Sequence, residues 1–235
     1  MARNNNKYII SNMSKKHVTT PVNEIDETVK ANISFIEKHK KALGWACGSV
    51  LAIVIASLLA YQYVYIPRVE KAADSIAAAQ QMFQNGEFEK ALNGDGQKPG
   101  FLQIADEYSC TPSANLARLY AGLCYAQTGK YDEAVKMLEK YSSCGDEMIS
   151  NAAIAALGNC YVETGNTEKG AELLKKAAAK ADNNSLSPIF LMQAAQLYET
   201  LGKNDVALEC YETIKKDYPQ TMQGNEVDKY NERLK

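Results

Sequence analysis

Histidine and cysteine are the residue types whose positions in this 235-residue chain say most about nucleophilic or transition-metal chemistry, and their positions argue against both. The two histidines, His17 and His39, precede a long apolar run, and residues 67–235 contain none. A Ser-His-Asp triad, a Cys-His pair and a His-ligated metal site therefore cannot form among residues 67–235 of one chain. The sequence also has no G-x-x-x-x-G-K-[ST] phosphate-binding loop. We predict a non-enzymatic protein with no catalytic residues, cofactor or metal.

The usage of the six cysteines is ambiguous, because packing thiols and a disulfide are both compatible with their positions. Cys47 lies within the apolar run, and the five that follow it contain no C-x-x-C pair. Cys124 and Cys160 occupy the same place in two similar segments, directly before a tyrosine, so we expect both to be buried, unpaired thiols. Cys110 and Cys144 lie in comparable connecting segments and are the pair better placed for a disulfide.

Asn93 and Asp95 could offer oxygen ligands to calcium within the segment 93–100, N-G-D-G-Q-K-P-G. An EF-hand loop needs oxygen ligands at several fixed positions and a bidentate acidic residue at its end, which this segment lacks. Asn-Gly and Asp-Gly form turns, and Pro99 cannot continue a helix. The segment is therefore predicted to be a plain loop.

The elements that would position any site begin with an uncharged apolar run over residues 42–66. As a helix it is long enough to cross the roughly 30 Å hydrocarbon core of a bilayer. Trp45 near one end and Tyr61, Tyr63 and Tyr65 at the other match the aromatic belts of membrane interfaces. A cleaved signal peptide would need a shorter core and a small-x-small site, whereas Leu58 occupies the place of a small residue before Ala60. We expect a retained, single-span anchor.

Charge on the two sides of this run predicts its orientation. Residues 1–42 carry eight Lys/Arg and four Asp/Glu, a net charge of +4, and Lys38, Lys40 and Lys41 adjoin the span. Basic flanks prefer the cytoplasm, so the N-terminus is predicted to be cytoplasmic and residues 67–235 to lie outside it. Residues 67–235 carry 18 basic and 24 acidic residues with no basic stripe, which disfavours nucleic acid as a partner.

Residues 67–235 contain an internal repeat. Residues 114–141, 150–177 and 187–214 align at offsets of 36 and 37, and each has the pattern of two helices joined at the glycine of T-G-K, T-G-N or L-G-K. A degenerate copy precedes them, with Ala79, Met82, Gly86, Phe88 and Ala91 in the same register. The period and the Leu157-Gly158-Asn159-Cys160-Tyr161 sequence resemble the tetratricopeptide repeat. The resemblance implies an all-α fold, a helical solenoid with a C-terminal capping helix.

The chain therefore divides into four predicted segments. Residues 1–21 form a disordered cytoplasmic tail, 22–41 an amphipathic juxtamembrane helix, and 42–66 the transmembrane helix. Residues 67–235 form a domain of about four repeats with an insertion at 93–100. Val227, Tyr230 and Leu234 give its last helix one apolar face, as a solenoid cap requires.

The tetratricopeptide resemblance also implies a concave protein-binding groove, lined by the first helix of each pair. By the family's register the groove residues are Ile76, Gln80, Phe83, Leu116, Leu119, Leu123, Ala155, Asn159, Met192 and Gln196, together with Glu163 and Glu199. None is Lys or Arg, which disfavours a clamp for a C-terminal carboxylate and favours extended, partly hydrophobic polypeptide. We expect Leu119 on the groove surface, although several of these side chains could instead pack between helices.

Small residues give the membrane helix a second contact surface. Gly44, Gly48, Ala52, Ala56 and Ala60 recur every four residues along one face. Such a face lets the backbone of another helix approach closely, and it would permit a homo-oligomer through the span.

The whole layout resembles the single-span proteins with periplasmic tetratricopeptide repeats of Gram-negative envelopes, the ancillary SecYEG translocon subunit (YfgM-like) family. The resemblance implies an inner-membrane location beside the translocon and a role in passing exported polypeptides to periplasmic chaperones. Two alternatives stay open. One is a structural scaffold in an envelope machine for division or outer-membrane assembly. The other is a reversed topology, with the repeats as a cytosolic receptor.

We expect a topology reporter fused after Lys235 to be active only outside the cytoplasm, because the basic flank holds the N-terminus inside. Paired fusions of a periplasm-active phosphatase and a cytoplasm-active fluorescent protein measure this directly. Fluorescence without phosphatase activity would reverse the predicted topology.

Overall fold

The computed structural model describes residues 22–143 and 146–234 and divides into two compact units, residues 1–61 and 62–235. The predicted tail 1–21 and Cys144 lie outside the described residues. All secondary-structure elements within the described ranges are helices, apart from one isolated β-bridge between Gly94 and Pro99. The all-α prediction is confirmed.

The first unit contains helix α1, Val22–Ala60, which has no break between the predicted juxtamembrane and transmembrane segments. Large apolar side chains project from it without cover, including Trp45 at 83% and Ile53 at 68% exposure. By length and composition, one helical stretch among the described residues, Glu37–Gln84, is long and apolar enough to cross a membrane, and its apolar part includes the C-terminal half of α1. A Cβ atom added at Gly44 or Gly48 would meet nothing within 4 Å, so the small-residue face is open.

The second unit is a succession of helices. A π-helical turn, Tyr61–Tyr65, leads into α2, Ile66–Gln84. The elements that follow are α3 Phe88–Asn93, α4 Phe101–Glu107, α5 Pro112–Gln127, α6 Tyr131–Glu139, α7 Glu147–Glu163, α8 Thr167–Ala181, α9 Ser187–Thr200, α10 Asn204–Asp217, α11 Met222–Glu226 and α12 Asp228–Leu234. Neighbours in this order pack on one another, and α5–α6, α7–α8 and α9–α10 are the three aligned repeats.

Local sequence explains where these helices begin. The Thr111 hydroxyl accepts a hydrogen bond from the Ala114 N–H at 3.2 Å, and Pro112 follows at a helix position that needs no N–H donor. The Asp146 carboxylate caps α7 in the same way, accepting from the Ile149 N–H at 3.0 Å. Each cap satisfies an N–H group that the helix itself leaves unpaired.

A left-handed glycine ends the first helix of each repeat, as predicted. Gly129, Gly165 and Gly202 have φ values of 75°, 86° and 71°. The next residue's N–H then donates to the carbonyl five residues back, at 2.8 Å in all three cases: Lys130 to Tyr125, Asn166 to Tyr161, and Lys203 to Tyr198. This bond pattern is the Schellman motif, which turns the chain back along the first helix.

Buried apolar side chains form three clusters among the described residues. The N-terminal cluster includes Ile76, Met82, Leu92, Phe101 and Ile104. The middle cluster consists of Leu119, Ala134, Leu138, Ala153 and Cys160. The C-terminal cluster includes Phe190, Leu191, Tyr211, Ile214 and Val227, and Tyr230 and Leu234 pack against it. The predicted apolar face of the terminal helix therefore does cap the last repeat.

The insertion forms a loop between α3 and α4. The Asp95 carboxylate accepts hydrogen bonds from the backbone N–H groups of Lys98 at 2.7 Å and Gln97 at 2.9 Å. These two bonds hold the pKa of Asp95 below its usual value. The Asp95 carboxylate is thus bound by the backbone of its own turn. The loop leads the chain back so that α4 packs beside α5.

The α7–α8 repeat has a close contact between its two helices at Gly158 and Gly170. A Cβ atom at Gly170 would lie 2.7 Å from the Gly158 carbonyl oxygen, and one at Gly158 would lie 2.9 Å from the Gly170 carbonyl oxygen. Both distances are too short for a carbon atom, so any side chain there must push α7 and α8 apart.

We expect Gly170→Ala to lower the free energy of unfolding of residues 62–235 by about 1–3 kcal/mol, because overpacking outweighs the gain in helix propensity. Ala179→Gly, at an exposed position of the same helix, measures the Ala-to-Gly propensity difference alone. Urea titration of both variants gives the comparison. A more stable Gly170→Ala variant would show that the helices are not in close contact.

Candidate protein-binding groove

The first helix of each pair carries the residues predicted to line a groove, and the structure separates them into two rows. The first row is Ile76, Leu119, Ala155 and Met192, which are equivalent positions in the repeats. Three of them are buried, Ile76 at 6%, Leu119 at 6% and Ala155 at 3% exposure. The expectation that Leu119 lies on the groove surface is therefore wrong, and Ile76 and Ala155 are core residues as well.

Neighbouring repeats explain this burial. Leu119 packs in the middle cluster with Leu138 of its own repeat and with Ala153 and Cys160 of the next. Met192 belongs to the last repeat and is half-buried against the C-terminal cluster. The buried residues of the first row thus belong to the core of the repeats and do not line a groove.

Two further predicted groove residues also pack between helices. Phe83 makes edge-to-face contacts with Phe88 at 5.4 Å and Tyr120 at 5.3 Å between ring centroids. Leu116 is half-buried against both the N-terminal and the middle clusters. Phe83 therefore contributes to the junction of the first two repeats, whereas Leu116 packs its own repeat against both neighbours.

The second row is the surface. It consists of Gln80, Leu123, Asn159 and Gln196, four residues further along each helix. Gln80 and Leu123 are half-buried, whereas Asn159 and Gln196 are exposed. Accessible groove residues therefore concentrate on α7 and α9.

A cleft of about 280 Å³ lies between these two helices. Helix α7 contributes Asn159, Val162 and Glu163, and α8 contributes Leu174. Helix α9 contributes Gln193, Gln196, Leu197 and Thr200. The cleft brings together three of the residues predicted from the sequence, Asn159, Glu163 and Gln196. The others that line it were missed, although Gln193, Gln196 and Thr200 are spaced by three and four and so share one helix face.

Side-chain amides give the cleft its hydrogen-bonding capacity. Each amide of Asn159, Gln193 and Gln196 offers both a donor and an acceptor. The Gln193 Oε1 atom is buried and has no hydrogen-bond partner among the described residues, which is costly unless a ligand supplies one. The Thr200 hydroxyl is already used, because it donates to the Leu197 carbonyl at 2.7 Å.

The charge of the cleft comes from one carboxylate. Among the described residues that line the cleft, Glu163 is the only charged one, and it is exposed. Glu199, also predicted to face the groove, is engaged elsewhere: it accepts a hydrogen bond from the Tyr211 hydroxyl at 2.5 Å and pairs with Arg233 of α12 at 2.5 Å. Burial and the Glu199 bond both raise the pKa of Tyr211. The cleft is therefore mildly anionic and would repel a C-terminal carboxylate.

The described thiols of the repeats are inert packing groups where they are buried. Cys124 and Cys160 are buried and free, as predicted, and Cys210 is buried as well. Burial raises the pKa of Cys124 to about 12 and that of Cys210 to about 11. It also raises the pKa of Cys160. A nucleophilic cysteine needs the opposite shift.

Comparison with known proteins identifies the repeat. The tetratricopeptide-repeat family model matches residues 116–143, which span α5 and α6, and residues 190–221, which span α9 and α10. No curated protein matches the chain.

Solved structures show the same fold. A Podosopora anserina protein described as a kinesin light chain, with nearly identical TPR-like repeats, aligns at a TM-score of 0.52 and 17% identity over 70% of this chain and 85% of that chain. A second structure, of a variant of that protein with one substituted residue, aligns at a TM-score of 0.53 and 18% identity over 70% and 84%. Residues of the second unit thus form tetratricopeptide-like repeats, a fold that typically serves protein–protein interaction.

We expect Leu119→Glu to lower the free energy of unfolding by about 3 kcal/mol or more, because a carboxylate would be buried in the middle cluster without a partner. Gln196→Glu introduces the same group at an exposed second-row position and should leave stability nearly unchanged. Thermal unfolding of both variants tests this. A Leu119→Glu variant that melts like the parent would return Leu119 to the groove surface.

Proposed function

We propose that this tetratricopeptide-repeat chain is a non-enzymatic protein-interaction module anchored in the inner membrane. Its cleft between α7 and α9 binds extended segments of other polypeptides. The observation that carries the proposal is the amide lining of that cleft with the unpaired, buried Gln193 Oε1 atom.

An extended polypeptide matches this lining. Its backbone presents alternating N–H and C=O groups, and a side-chain amide can pair with either. A peptide N–H that donates to Gln193 Oε1 would remove the cost of a buried, unsatisfied acceptor. Val162 and Leu197 add apolar walls for side chains of the bound segment. Recognition of this kind reads the backbone, so it suits many sequences rather than one.

Membrane anchoring is supported by the uncovered apolar surface of α1. Leu51 and Leu58 are exposed at 60% and 62%, like Trp45 and Ile53. Such a surface is costly in water and stable in hydrocarbon. The basic flank at Lys38, Lys40 and Lys41 supports a cytoplasmic N-terminus, with the repeats in the periplasm. The open face of Gly44 and Gly48 is available for a second helix, from a partner or another copy.

The partners follow from location and cleft chemistry together. A periplasmic, membrane-tethered cleft for extended chains is well placed to receive polypeptides that leave the SecYEG translocon and to pass them to periplasmic chaperones. This assignment depends on the family resemblance of the layout, and envelope scaffolding is the competing outcome of the test below.

We expect Asn159→Ala and Gln196→Ala each to weaken binding of a reduced, alkylated, unfolded polypeptide about fivefold, the equivalent of one hydrogen bond of about 1 kcal/mol. The melting temperature should not change, because both side chains are exposed. Lys176→Ala, on the exposed side of α8, is the matched control and should bind like the parent. Fluorescence anisotropy gives the affinities. Unchanged affinity in both amide variants would exclude the cleft.

Photo-crosslinking from the cleft in cells can identify the partners of the protein. A photo-crosslinking residue at Gln196, with Lys176 as the control position, should capture exported polypeptides and translocon subunits. Capture of division or outer-membrane assembly proteins instead would favour the scaffold and overturn the translocon role.

A further inference from the structure

A second cavity, of about 460 Å³, lies at the start of the repeat domain. The π-helical turn and the first two turns of α2 contribute one wall, Tyr63, Val64, Pro67, Arg68 and Lys71. The end of α4 contributes the other wall, Glu107 and Tyr108. The cavity has no part in the α7–α9 cleft.

Arg68 is held in place within this cavity. Its guanidinium group donates a hydrogen bond to the Glu107 backbone carbonyl and lies 6.0 Å from the centroid of the Tyr108 ring. A guanidinium has five N–H donors, so one bond to a carbonyl leaves others for an anion. These two contacts orient the exposed Arg68 side chain towards the end of α4 and leave other N–H donors of its guanidinium group for a ligand.

The charge of the lining selects the kind of ligand. Arg68 and Lys71 are cationic and Glu107 is anionic, which gives the lining a net charge of +1. A single phosphodiester carries one negative charge, and arginine and lysine are the side chains that bind it best. The Glu107 carboxylate can accept hydrogen bonds from hydroxyl groups beside that phosphate.

The position of the cavity, directly after the apolar run, indicates which kind of molecule would supply a phosphodiester to it. Arg68 follows the apolar run 42–66 directly, so in a membrane-spanning chain it lies at headgroup depth. Tyr63, 75% exposed at the rim, is a residue type that favours the same depth.

We propose that this cavity binds the headgroup of an anionic phospholipid whose phosphate carries the only charge, such as phosphatidylglycerol. The inference rests on the proposed membrane anchor. The Arg68 guanidinium and the Lys71 ammonium bind the phosphate, and Glu107 receives the headgroup hydroxyls. Bound lipid would join the first helix of the repeat domain to the membrane surface.

The test uses the full chain reconstituted in phosphatidylcholine vesicles with a trace of spin-labelled phosphatidylglycerol or spin-labelled phosphatidylcholine. Electron paramagnetic resonance measures the motionally restricted fraction of each labelled lipid. We expect selective restriction of phosphatidylglycerol, reduced about fivefold by Arg68→Gln and about fivefold by Lys71→Gln. Arg68→Lys keeps the charge but loses the planar fork, and it should also reduce the restriction.

Lys41→Gln is the matched control, because it removes an exposed cation beside the other end of the span. A loss as large as that of Lys71→Gln would mean general surface attraction and would overturn the cavity. Equal restriction of both labelled lipids would also overturn it. Displacement by inorganic phosphate would assign the cavity to a free anion instead of a lipid.

Alkaline extraction of the same vesicles separates the two proposals. A chain that is extracted into the supernatant refutes the membrane anchor itself. A chain that stays in the membrane without selecting phosphatidylglycerol refutes the lipid site alone.

Discussion

The repeat domain depends on one backbone hydrogen bond that recurs at the turn of each helix pair. The residue after the turn glycine donates its N–H to the carbonyl five residues earlier, and the same bond joins Glu87 to Met82 across Gly86 at 3.0 Å. The bond forms only because the glycine takes a left-handed conformation that other residues rarely adopt. It fixes where the second helix begins, and thereby which side chains of the first helix meet the next repeat.

Sequence periodicity predicted this architecture well because the turn and the packing face are local properties. The glycine positions, the buried Cys124 and Cys160, and the apolar face at Val227 all follow from spacing within one helix or turn. Depth is different. Leu119 and Asn159 both belong to the groove side of a first helix, but the next repeat covers Leu119 and leaves Asn159 exposed. Leu119 belongs to the first row and Asn159 to the second row, and which row becomes buried depends on how successive repeats pack, which no single helix encodes.

The charge of the cleft could not be predicted either, because it depends on an ion pair between residues that are distant in sequence. Glu199 has the spacing of a groove residue, and nothing local indicates that Arg233, 34 residues away, pairs with it. The charge of the cleft therefore depends on α12, a helix that the sequence assigned only to capping. Gln193 and Thr200 were not predicted for a related reason: the face of α9 that lines the cleft is offset from the family's groove positions in this helix, Met192, Gln196 and Glu199.

If the repeats lie in the periplasm, as proposed, the buried thiols set an order of events for maturation in an oxidising compartment. While the chain is unfolded, Cys124, Cys160 and Cys210 are open to oxidants and to each other, and any disulfide among them would be incompatible with the native helices that bury them separately. Once the helices pack, the raised thiol pKa values and the loss of access make the same groups unreactive. In that location folding and oxidation would compete, and rapid collapse of the repeats would favour the native, reduced state.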